Sequence, residues 1–72
     1  MIKMIEIFKT DIKKREDAKE VKQLLKEHFP ESHINFDLED DDNILRVENN
    51  IPVSENVIQM LQIKGYYCEE LF

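Results

Sequence analysis

His28 and His33 stand five residues apart across Pro30, with Glu27 and Glu31 beside them. Imidazoles with carboxylates are borderline ligands suited to Zn(II) or Ni(II). The spacing matches no established ligand pattern, and surface histidines are the simpler reading, with His28 completing a helix face. The second concentration of ligand-type residues is Glu39-Asp40-Asp41-Asp42. A calcium loop of the EF-hand kind needs ligands at alternate positions, a central Gly and a distal Glu. None of these is present, so the run reads as a solvated turn with weak cation attraction. Metal binding through such carboxylate and histidine ligands is the alternative function.

Cys68 is the only cysteine, which excludes an intramolecular disulfide and a cysteine-pair metal site. A reactive thiolate wants a cationic neighbour, whereas Cys68 is followed by Glu69 and Glu70. It reads as a small core hydrophobe. No nucleophile–base pair is evident, and a single glycine, Gly65, cannot build a phosphate-cradling loop. Arg15 lacks the glycine-rich surroundings of an anion-binding enzyme loop. The expectation is no catalytic residue, no cofactor and no enzyme.

The elements that position these residues follow from periodicity. Residues 3–9 are rich in β-branched and aromatic types and predict a strand, central because both of its faces are apolar. Residues 10–14 read as a polar connection. From 15 to 29 the apolar positions Ala18, Val21, Leu24, Leu25 and Phe29 have helical spacing. Glu16 and Asp17 suit the positive end of that helix and Lys26 its negative end; Pro30 ends it. Residues 33–39 alternate, with Ile34, Phe36 and Leu38 on one side. Asp40 to Asn43 supply turn residues leading into a strand over 44–48.

Ser54 is the expected N-cap of a second helix, whose buried stripe is Val57, Ile58 and Leu61, with Met60 at its border. Gly65 falls where a left-handed residue ends a helix. Residues 66–71 give a last strand, with Tyr66 and Tyr67 as edge packing. The order β-α-β-β-α-β predicts an α+β, ferredoxin-like domain over residues 1–72. Its four-stranded antiparallel sheet has the order 4-1-3-2, with both helices on one face.

Seventy-two residues make one domain. The absence of disulfides fits a reducing, cytoplasmic setting. The first six residues are interrupted by charge too often for a signal peptide, and no apolar run approaches the ~20 residues that span a bilayer. A net charge of −6 argues against nucleic-acid backbone binding. The charge is uneven, however: residues 1–26 carry a net +3 and residues 27–72 a net −9. This is the pattern of two solvated faces, and it can also steer a partner.

The run Phe8-Lys9-Thr10-Asp11-Ile12-Lys13-Lys14-Arg15-Glu16-Asp17-Ala18 resembles the first strand, metal loop and first helical turn of heavy-metal-associated domains. Small members with an F-K-T-N-I-K-C-x-x-C pattern are especially similar. Asp37-Leu38 with Ile44-Leu45-Arg46-Val47-Glu48 resembles the family's central hairpin, and Val57-Ile58 with Lys64-Gly65-Tyr66 its second helix and glycine-aromatic ending.

The resemblance places the family's two Cu(I)-binding cysteines at Lys14 and Asp17. A protonated ammonium offers no lone pair, and a carboxylate is a hard ligand unsuited to soft Cu(I). The resemblance therefore implies a degenerate member without its thiolate site. Asp17 then acts as a fixed anion at the helix start, Lys14 pairs with Asp17 or Glu16, and Ile12 remains as the loop's inward anchor. Family members dock on partners through this loop and first helix. Here the corresponding face carries Lys13, Lys14, Arg15, Lys19 and Lys22, which implies an acidic protein surface, or the acidic half of another copy, as partner. The expected role is a non-enzymatic interaction or accessory module.

Overall fold

The first strand needs hydrogen-bonding partners on both edges, and it has them. In the computed structural model, which describes residues 3–39 and 41–71, β1 (Met4–Thr10) pairs antiparallel with β3 (Ile44–Asn49) and with β4 (Cys68–Glu70). Helix α1 (Arg15–His28) follows β1, β2 (His33–Asp37) pairs with β3, and α2 (Ser54–Ile63) leads to β4. The sheet order is β2-β3-β1-β4, the ferredoxin-like arrangement that the element order implies. Residues 1, 2, 40 and 72 lie outside the described set, and with them Asp40 of the acidic turn.

Strand alternation decides which side chains enter the core. Phe8 from β1, Ile34 from β2, and Leu45 and Val47 from β3 meet Ala18, Val21 and Leu25 of α1 and Val57 and Leu61 of α2 in one cluster. Both helices thus cover the same face. The opposite face carries Ile5, Ile7 and Ile44 among polar neighbours, and Ile5 stays 45% exposed. The apolar character of both faces of β1 therefore marks its central place, although only one face is covered.

Several boundaries differ from expectation. Thr10 belongs to β1 rather than to the connection, because its N–H donates to the Asp42 carbonyl at 3.2 Å. The second strand stops at Asp37, whose Oδ1 accepts from the Glu39 N–H at 3.2 Å and turns the chain. The third strand runs one residue further, to Asn49. Phe29 is the C-cap of α1 rather than a helical residue, its N–H donating to the Leu25 carbonyl at 2.8 Å. The last strand is only three residues long, and Tyr66 and Tyr67 precede it. Asn43 takes the left-handed φ of 48° that closes the hairpin turn.

The end of α2 matches its expected glycine cap. Gly65 has φ 90°, its N–H donates to the Gln62 carbonyl at 3.0 Å, and the Tyr66 N–H donates to the Leu61 carbonyl at 2.9 Å. These are the two bonds of a Schellman ending. The start of α2 does not match. Val53, not Ser54, is the N-cap, since its carbonyl accepts the first helical bond from Val57 at 2.9 Å, and no local side chain caps the helix. Instead Glu6, buried in β1, reaches across, and its Oε1 accepts the Val53 N–H at 2.8 Å. A carboxylate from the sheet thus faces the positive end of α2.

Candidate functional site

Helix α1 is divided lengthwise by its sequence. Ala18, Val21 and Leu25 are buried. Arg15, Lys19 and Lys22, four and three residues apart, fall on one stripe beside them. Asp17 and Glu20 occupy the other flank, where Glu20 meets Lys64 at the end of α2 at 3.6 Å. Each flank therefore faces a different neighbour.

The basic stripe lines a cleft of about 500 Å³ between α1 and the edge strand β2. Ala18, Phe36 and Leu38 provide its apolar surface, and Asp37 and Glu39 stand at the strand side. Arg15, Lys19 and Lys22 are exposed and make no ion pair or side-chain hydrogen bond among the described residues. The structure thus brings together three of the five basic residues singled out from sequence. Lys13 and Lys14 are exposed in the preceding loop and do not line the cleft.

That loop is fixed from three sides. Ile12 is buried, the inward anchor expected of it. The Thr10 hydroxyl donates to the Asn43 carbonyl at 2.7 Å and accepts the Ile12 N–H at 3.2 Å. Asp11 Oδ1 accepts the Tyr67 N–H at 2.9 Å. Thr10 therefore joins the loop to the hairpin turn, a role that a pass along the sequence missed, because its partner lies 33 residues away.

Lys14 is the N-cap of α1 in extended geometry, with no side-chain cap bond. The expected pairing of Lys14 with Asp17 or Glu16 does not form among the described residues. Asp17 lies in the first turn, as the helix dipole favours. Its carboxylate also acts on Tyr66, whose phenol is held above its ordinary value by desolvation first and by Asp17 next, with smaller contributions from Glu20 and Asp11. Lys14 thus presents a solvated ammonium, and Asp17 a carboxylate beside a tyrosine.

The remaining candidates are dispersed. His28 Nδ1 lies 3.1 Å from the Leu24 carbonyl at the exposed end of α1, whereas His33 opens β2 opposite Glu48. Among the described residues no three His, Cys, Asp or Glu side chains gather as a metal site. In the acidic turn, Asp42 meets Lys9 at 3.6 Å. Cys68 is buried opposite Thr10, and burial, with a smaller effect from Glu70, pushes its thiol up to about 12. A thiol so protonated is a packing group rather than a nucleophile. Tyr66 packs against the core; Tyr67 is half-exposed and its hydroxyl donates to Glu69. No helix among the described residues is long and apolar enough to cross a membrane.

No protein-family model matches the chain, and neither the curated proteins nor the solved structures give a match.

Proposed function

We propose that this chain is a degenerate heavy-metal-associated-like domain that works as a non-enzymatic interaction module, in the cytoplasm, through the basic flank of its first helix. The observation that carries this reading is the stripe of Arg15, Lys19 and Lys22. Three cations without ion-pair partners among the described residues line one cleft of a chain whose net charge is −6. Charges arranged this way raise the encounter rate with a surface of opposite sign. The partner class is an acidic protein segment. The resemblance supports the location, since the family docks through the same loop and helix. The replacement of its ligands by Lys14 and Asp17 supports a role without metal.

Titration of the ¹⁵N-labelled domain with oligoglutamate at low and at high salt tests the reading. Shifts are expected along 15–22 at low salt and their loss at high salt. Reversal of Arg15, Lys19 and Lys22 to Glu is expected to abolish them, and reversal of Lys13 and Lys14 to weaken them less. Binding indifferent to salt and to all five reversals would overturn the reading.

A further inference from the structure

Resting on that reading, we infer that the cleft receives an extended acidic segment of a partner protein, which adds to the free edge of β2 as a fifth strand. An edge strand presents unpaired backbone donors and acceptors that template another strand. The sheet has two edges, β2 and β4. Strand β4 is three residues long, too short for a stable ladder, whereas β2 offers five. The ends of β2 are held in place. Lys26 Nζ donates to the Ser32 carbonyl at 2.6 Å and the Pro30 carbonyl at 3.3 Å, and Asp37 closes the other end through the Glu39 N–H. Residues 33–37 are therefore held at both ends.

The cleft adds specificity to that edge. An added strand alternates its side chains between the two faces of the sheet. Those turned toward α1 meet the apolar surface of Phe36 and Leu38 and the cations Arg15, Lys19 and Lys22. Those turned to the uncovered face lie in register with His33, Asn35 and Asp37, which alternate away from the core, Asn35 and Asp37 also bordering the cleft. The matching segment thus has acidic and apolar residues at alternate positions, with neutral or basic residues between them. A second copy is a poorer occupant. The helix-side residues of its own β2 are Ile34 and Phe36, which bring no carboxylate to the basic wall.

Three synthetic peptides of about six to eight residues, the usual strand length, test this by NMR titration. The first alternates Glu and Val on one face with Thr on the other. The second has the same composition with its Glu residues consecutive. The third is the first with every second backbone amide methylated. The expected result is that the first peptide protects the amides of residues 33–37 from exchange and binds more weakly at high salt. Methylation on the pairing edge is expected to reduce affinity by at least about tenfold, the loss of one or two backbone hydrogen bonds. Equal, salt-sensitive binding of all three overturns strand addition and leaves the basic flank as an acidic-protein site. Failure of all three to bind overturns both.

Discussion

Replacing Glu6 with alanine removes the carboxylate that receives the Val53 N–H at 2.8 Å and faces the start of α2. Glu6 is 8% exposed, so water cannot readily take its place. A hydrogen bond to a charged group contributes about 1.5–3 kcal/mol, and leaving a buried donor unmatched costs a similar amount. The favourable position of an anion at a helix N-terminus overlaps with this and contributes about 0.3–1 kcal/mol of it. A loss of about 2–3 kcal/mol is therefore expected for Glu6→Ala. Total stability scales to about 4–11 kcal/mol for a chain of this size, so the loss is a large fraction of it. At about 4–8 °C per kcal/mol, the thermal midpoint falls by roughly 10–20 °C. Glu6→Gln keeps an acceptor and loses the charge, and is expected to cost about 1 kcal/mol. Urea and thermal unfolding followed by circular dichroism measure both. A Glu6→Ala chain within about 0.5 kcal/mol of the native one, the scatter of neutral surface changes, would refute the capping role.

Two further substitutions probe the frame around the site. At Gly65, with φ 90° and nothing within 4 Å of an added Cβ, alanine meets only backbone strain. Gly65→Ala is expected to cost about 1–2 kcal/mol and Gly65→Asn less, read by urea denaturation. Cys68 is expected to resist alkylation in the native domain at neutral pH and to react freely in urea. Because its folded pKa is raised from 9.0 to about 12, its contribution to stability is fully present below about 9 and lost as pH rises toward about 12. A Cys68→Ala chain is expected to lose that part of the alkaline slope; an unchanged slope would refute the assignment.

Much of the fold was legible in the sequence because periodicity reports local burial. Alternation in Ile34, Phe36 and Leu38, helical spacing in Ala18, Val21 and Leu25, and Gly65 as a left-handed cap all correspond to the structure. What stayed hidden was carried by contacts distant in sequence. Glu6 reaches a residue 47 positions away, and Thr10 one 33 away. Ser54 offered a local cap, and the carboxylate of a neighbouring strand took its place. The basic stripe was readable as a helix face. That it borders the free edge of β2 follows only from the sheet order, and Lys13 and Lys14, in the loop before α1, stay outside the cleft.

The proposed heavy-metal-associated-like reading puts Lys14 and Asp17 where that family has its soft-metal ligands. Cu(I) titration under reducing conditions against a competing chelator tests it most directly, in the native chain and in the Lys14→Cys/Asp17→Cys chain. The prediction is no competitive binding by the native chain and one-to-one capture by the double variant. Tight one-to-one binding by the native chain, or none by a folded double variant, would contradict it.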